Sequence, residues 1–188
     1  MKTKPRIIIF TGTGKGKTTG ALGYVLPYVN QKTIKIVQFL KGSNYAAEQN
    51  LGSKLDNLYF YSFGYGCSQS NLIRSGEGHC KSCGKCFRIN RQEPGFVYKA
   101  WSFTKKIAND NKTDILILDE FAYVLKYNFL DTTSFLTEIS TWPAHLIIIL
   151  TGRVFPQEIL DVSVEVYELI EIKHPFRQGI PSRRGIEY

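Results

Sequence analysis

The chemistry easiest to name lies in the run Thr11-Gly12-Thr13-Gly14-Lys15-Gly16-Lys17-Thr18-Thr19, which follows a short apolar stretch and opens into a helical pattern. Closely spaced glycines let successive backbone N–H groups curl around a phosphate. A lysine neutralises phosphate oxygens, a threonine hydroxyl can ligate Mg²⁺, and the helix N-terminus adds partial positive charge. The run departs from G-x-x-x-x-G-K-[ST] in carrying Thr11 at the first glycine's place, with Gly12 one residue later. The strand pattern before it and the helix pattern after it argue against a glycine-rich turn that merely contains lysines. A second element agrees: Asp114-Ile115-Leu116-Ile117-Leu118-Asp119-Glu120 reads as a buried strand ending in two acids, as needed to hold Mg²⁺ and its waters opposite a phosphate loop. A third strand, Leu146–Leu150, runs into Thr151-Gly152-Arg153 and would bring Arg153 to the same carboxyl edge, where open α/β sheets bind ligands. Together these residues predict a nucleoside triphosphate with Mg²⁺. Hydrolysis, phosphoryl transfer and other displacements all remain open on them.

The elements that must position these residues are readable in outline. Short β-branched runs alternate with amphipathic stretches, the pattern of βαβ units around a mostly parallel central sheet covered by helices. Candidate strands are residues 6–11, 33–39, 58–63, 114–118, 146–151 and 165–172; candidate helices are 17–30, 94–109, 132–141 and 156–161. Within the 94–109 helix, Trp101, Phe103 and Ile107 lie at core spacing. The fold class is therefore α/β of the P-loop NTPase (RecA-like) kind, with residues 1–188 as one domain. A chain of 188 residues supports one sizeable core. At 43% hydrophobic and 21% charged it is not a disordered chain. Its apolar runs fall far short of the roughly 20 residues of a membrane span, and no secretory pattern follows Met1, so the expected compartment is the cytoplasm with no membrane partner. The balance of 24 Lys+Arg against 16 Asp+Glu, net +8, suits an anionic partner without choosing among nucleic acid, acidic lipid and polyphosphate.

From about residue 64 to 95 the pattern breaks into a glycine-rich, basic, cysteine-rich insertion. Cys80-Lys81-Ser82-Cys83-Gly84-Lys85-Cys86, with Cys67 upstream and His79 adjacent, could hold zinc through four thiolates, or through three with His79 as the substitute ligand. The same spacing suits part of an iron–sulfur ligand run. Unliganded thiols are the third reading. A bound ion would explain how a polar segment without its own core holds shape.

Several motifs resemble one family in order and spacing. Phe10 to Thr19, Val37-Gln38-Phe39-Leu40-Lys41-Gly42, Leu118-Asp119-Glu120-Phe121-Ala122-Tyr123, Leu150-Thr151-Gly152-Arg153, Lys173-His174-Pro175-Phe176 and Gly185-Ile186-Glu187-Tyr188 are similar to the P-loop ATP:corrinoid adenosyltransferases. The resemblance covers nearly the whole chain apart from the insertion. It implies transfer of the 5′-deoxyadenosyl group of ATP to Co(I) of a corrinoid with release of triphosphate. It also implies ATP binding by Gly12, Thr13, Gly14, Lys15, Gly16, Lys17, Thr18, Thr19 and Arg153, with Lys17, Thr18 and Glu120 as the catalytic set and Mg²⁺ held by Thr18 and Glu120 with Asp119 as second acid. Where the family carries Gly-Phe-x-Trp facing the corrinoid, this chain has Gly64-Tyr65-Gly66-Cys67, so Tyr65 stands for the Phe and Cys67 for the Trp. The resemblance further implies a homodimer and, as partner, a reductase or flavoprotein that supplies electrons for Co(I).

Two rival readings use the same residues. A thymidine-kinase-like enzyme also combines a phosphate loop with a zinc loop, and would leave ADP. A non-enzymatic, ATP-dependent nucleic-acid binder would set Lys81, Lys85, Arg88 and Arg91 on phosphates; the triphosphate site already accounts for the charge.

Overall fold

Six runs rich in Ile, Val, Leu, Phe and Tyr form strands: β1 (Arg6–Thr11), β2 (Ile34–Phe39), β3 (Leu58–Phe63), β4 (Ile115–Asp119), β5 (Ile147–Thr151) and β6 (Glu165–Glu168). They make one sheet in the order β3-β2-β4-β5-β1-β6, and every pairing is parallel. The computed structural model describes residues 4–42, 47–79, 83, 85–90, 92–173 and 175–180. Seven α-helices fall within them: α1 (Lys17–Val25), α2 (Ser70–Ser75), α3 (Lys85–Asn90), α4 (Pro94–Ala108), α5 (Phe121–Lys126), α6 (Thr132–Ile139) and α7 (Gln157–Val162).

Continuous apolar strands need cover on both faces, and β2 and β4 are buried at every position. Successive strand residues point to opposite faces. Ile8, Phe10, Ile34, Ile36, Ile115, Ile117 and Ile149 meet Ala21, Leu22 and Val25 of α1 on one side. Ile7, Ile9, Val37, Phe39, Leu116, Leu118, Ile148 and Leu150 meet α4, α5 and α6 on the other. α4 begins with Pro94, whose missing N–H costs nothing in a first turn, and buries Val97, Ala100, Thr104, Ile107 and Ala108 at helical spacing. Trp101 packs among Phe121, Phe135 and Trp142 with ring centroids 6.0, 5.7 and 5.8 Å away. It is a core aromatic, as its spacing predicts. α6 is started by Asp131, whose carboxylate accepts from Ser134 N at 2.8 Å.

The parallel arrangement places the carboxyl ends of all six strands along one edge. The loops after Thr11, Phe39, Phe63, Asp119, Thr151 and Glu168 therefore face a common region.

Four features differ from the sequence expectation. α1 ends at Val25 instead of Asn30, because Pro27 enters a 3₁₀ turn at Leu26–Tyr28. β6 ends at Glu168 instead of Ile172, because β1, its one neighbour among the described residues, runs out at Thr11, which pairs with Glu168. α5 is present where only a strand end with acids was expected. The 64–95 segment contains α2 and α3 and buries Ile73 and Asn90, so it contributes to the core.

Candidate active site

The glycine-rich loop joins β1 to α1. α1 has no side-chain cap, and Gly16 before it is left-handed at φ 95°. Its first-turn N–H groups thus lack intrahelical partners and present the positive end of the helix to the carboxyl edge. The residue after β6 closes the loop from the side. Leu169 N donates to Thr11 O at 2.9 Å and Gly14 N donates to Leu169 O at 2.8 Å. Gly12 sits at φ +103°, and a Cβ there would meet the Leu169 backbone, 2.9 Å from its nitrogen; the shifted glycine is required by this close approach. Lys17 Nζ lies over the loop and donates to Gly14 O at 2.6 Å. Burial lowers the Lys17 pKa; Glu120 and Asp119 oppose that shift, while Arg153 adds to it.

Opposite the loop, Asp119 is fully buried at the end of β4. Its Oδ1 accepts from Thr18 Oγ1 and from Thr151 Oγ1, each at 2.7 Å. Its Oδ2 accepts from Gln38 Nε2 at 3.1 Å and Lys41 Nζ at 3.2 Å. Burial alone would raise its pKa. The Lys41 charge and the three neutral donors override this and hold the carboxyl below its usual range. Lys41 also pairs with Glu48 at 3.2 Å; burial opposes its charge, but Asp119, Glu48 and Glu120 together raise its pKa. Glu120 caps α5 in a left-handed conformation, φ 61°, and its N–H donates to Thr151 Oγ1 at 3.0 Å. Burial and the adjacent Asp119 charge raise the Glu120 pKa against Lys41, Lys17 and Arg153. Arg153 is anchored by its backbone, its carbonyl accepting from Gly12 N at 3.2 Å and Thr11 Oγ1 at 3.1 Å.

The fold thus brings Gly12 to Thr19, Asp119, Glu120 and Arg153 to one edge. Oxygen donors of Thr18, Asp119 and Glu120 suit Mg²⁺, and the lysine, arginine and amides suit a polyphosphate.

Tyr65 and Cys67 follow β3 at the same edge. Tyr65 is 48% exposed, and its ring packs edge-on against Phe96 with centroids 4.8 Å apart. Cys67 is half-buried and Cys83 exposed, and neither is in a disulfide; His79 is exposed. Cys80 and the Cys86 side chain lie outside the described residues, as do His174 and the closing Gly185 to Tyr188. Among the described residues, no three His, Cys, Asp or Glu side chains gather as a metal group.

The model of the ATP:corrinoid adenosyltransferase BtuR/CobO/CobP family matches residues 3–188. The chain belongs to this family. The adenosyltransferase is 31% identical over 183 residues to the corrinoid adenosyltransferase CobA of Salmonella typhimurium, a match covering 97% of this chain and 85% of that protein. A corrinoid adenosyltransferase of a Sinorhizobium species is 29% identical over 189 residues, covering 98% of this chain and 81% of that protein. That of Escherichia coli K12 is 30% identical, with 97% and 85% covered. The adenosyltransferase is therefore a transferase acting between ATP and a corrinoid, as the motif resemblance implies. No helix among its described residues is long and apolar enough to cross a membrane.

The structure also adds residues that motif reading left without a role. Gln38, fully buried within apolar β2, and Lys41 just beyond it are the nearest partners of Asp119 on one side, and Thr151 on the other. A glutamine near the end of a mostly apolar strand and a lysine two residues past it were the available signal. Leu169 and Asn90 carry no signal in the sequence, since one acts through its backbone and the other within the insertion.

Proposed function

We propose that the adenosyltransferase holds the ATP triphosphate on the amides of Gly12 to Thr19, with Lys17 and Arg153 neutralising it, and directs C5′ of the ribose toward the corrinoid. The observation that carries this is the convergence, at one sheet edge, of an uncapped helix N-terminus, the Lys17 ammonium and the Thr18–Asp119–Glu120 oxygen set. The electron pair of Co(I) attacks C5′, a Co–C bond forms, the C5′–O bond breaks, and triphosphate departs with that bonding pair. Cobalt passes formally from Co(I) to Co(III). The nucleophile is the substrate's own metal, so the chain needs no nucleophilic side chain. Its residues orient ATP and stabilise charge growing on the leaving group. Thr18 and Glu120 would hold Mg²⁺, with Asp119 as the second acid; when bound, the ion neutralises triphosphate oxygens. Asp119, each of whose oxygens already accepts from two donors, would act on the ion through water and through the Thr18 hydroxyl it orients, with Glu120 supplying the carboxylate beside it.

Tyr65 and Cys67 face the corrinoid in this reading. The chain works as one RecA-like P-loop domain with the cysteine-rich insertion at about 64–95, as a cytoplasmic homodimer supplied with electrons by a reductase or flavoprotein. Cys67, Cys80, Cys83 and Cys86, or three of them with His79, would hold one zinc ion or an iron–sulfur cluster, through thiolates suited to either. The test of the site is the anaerobic loss of Co(I) absorbance with ATP and Mg²⁺. Lys17→Ala and Thr18→Ala are expected to slow it by about 10²–10³, the usual worth of a charge-stabilising donor. Unchanged rates in folded variants would overturn the assignment.

A further inference from the structure

Asn90 is the last residue of α3, deep in the inserted segment, yet only 1% of it is exposed. Its side-chain amide is used at both ends. Nδ2 donates to Leu40 O at 3.1 Å and to Tyr65 O at 3.0 Å, and Oδ1 accepts from Tyr65 N at 2.5 Å. The amide therefore binds both backbone groups of Tyr65 as a neighbouring strand would, just beyond the end of edge strand β3, and ties that peptide to the end of β2. The chain is shaped to admit it. A Cβ on Gly64 would lie 2.8 Å from Asn90 Oδ1 and 2.7 Å from Lys41 N, and one on Gly42 would strike the backbone of Tyr65 and Gly66. Both donors of the amide are used, and a buried amide left unpaired is costly.

The two loops that meet on Asn90 have different tasks. The Leu40–Gly42 loop carries Lys41, which reaches Asp119 Oδ2 at 3.2 Å and Glu48 at 3.2 Å. The Gly64–Cys67 loop carries Tyr65. Lys41 is held by two carboxylates independently of Asn90. Tyr65 has the Asn90 pair on its backbone and Phe96 on its ring.

We propose that Asn90 is a positioning residue for the corrinoid reaction: from within the insertion it fixes the Tyr65 peptide against the loop that bears Lys41, and so sets where the Tyr65 ring stands relative to the ATP site. This rests on the reading of Tyr65 as corrinoid-facing. Anything that moves α3 is transmitted to that ring through one side chain.

The experiment is a double-mutant cycle on the full chain. Asn90→Leu keeps the branched shape and removes all three hydrogen bonds; Asn90→Asp keeps the acceptor for Tyr65 N–H, loses both donors, and serves if the first variant does not fold. Each is measured alone and with Tyr65→Ala for the corrinoid KM, for kcat, and for the ATP dissociation constant without corrinoid. The expected result is a corrinoid KM raised about tenfold by Asn90→Leu, ATP affinity within about twofold of wild type, and no further loss when Asn90→Leu is added to Tyr65→Ala. Tyr65→Ala without effect on the corrinoid KM would overturn the corrinoid-facing reading and with it the proposal. A Tyr65→Ala effect with the full Asn90→Leu loss added to it, or ATP affinity falling as much as corrinoid affinity, would overturn the role of Asn90 alone.

Discussion

Asp119→Asn isolates the hub that joins the glycine-rich loop to the ends of β2 and β5. Within 3.2 Å the carboxylate has two hydroxyl donors on Oδ1 and the Gln38 amide and Lys41 ammonium on Oδ2. An amide must turn its NH₂ toward Thr18 and Thr151, because the Gln38 nitrogen and the Lys41 ammonium only donate. Both hydroxyls then have to accept, and Thr151 already accepts from Glu120 N–H. Removing one partner of a buried ion pair costs about 3–5 kcal/mol. Glu48 remains 3.2 Å from Lys41, which places the expectation at the lower end, about 3 kcal/mol, or a Tm lower by about 6–12 °C for a chain of this length. The pH dependence has a definite sign. The Asp119 pKa is depressed in the folded protein, so its contribution is present above the unfolded carboxyl pKa and is lost as pH falls through the folded value. Thermal unfolding of both proteins without nucleotide, from neutral pH downward, is the assay. The Tm gap is expected to be widest near neutrality and to close on acidification. A neutral-pH gap under about 2 °C, or one that persists in acid, would refute the hub.

Glu120→Gln should act in the opposite direction on stability: burial and Asp119 raise the Glu120 pKa, so its charge costs stability near neutral pH and the variant is expected to melt above wild type there, with the gap closing as pH falls through the raised value, while activity is lost. Wild-type turnover should need more Mg²⁺ as acid protonates Glu120, and an equal Mg²⁺ requirement across that range would contradict its place at the ion. Gly12→Ala should cost about 2 kcal/mol or more, since it combines a positive φ with contact on the Leu169 backbone, and should weaken ATP binding; wild-type Tm and ATP affinity would show that Leu169 does not set the loop. Metal analysis of anaerobically purified protein should find about one zinc per chain, or iron with a visible spectrum, if the cysteines share an ion; neither metal would leave the thiols unliganded.

What was legible from sequence follows the strength of each physical signal. β1 falls at the predicted residues 6–11 because a buried parallel strand is a continuous apolar run between turn residues, and the half-exposed edge strand β3 falls at 58–63 because its aromatic residues favour a strand. That the glycine-rich loop and the Asp119–Glu120 pair meet at one edge was legible because phosphate and Mg²⁺ chemistry would demand those residue types there. The end of β6 was not, because it depends on where β1 stops. α2, α3 and α5, at six residues each, show little of a helical period and are held by tertiary contacts, whereas the equally short α7 follows a proline at its start. Asn90 was hidden for the same reason: an asparagine between Ile89 and Arg91 looks like a turn residue until the loops after β2 and β3 are brought against it.

The central claim is tested most directly by the phosphate product. With Co(I) corrinoid, ATP and Mg²⁺ under anaerobic conditions, adenosylated corrinoid is expected together with triphosphate in equal amount. ADP as the product, or ATP consumption that proceeds without corrinoid, would contradict attack at C5′.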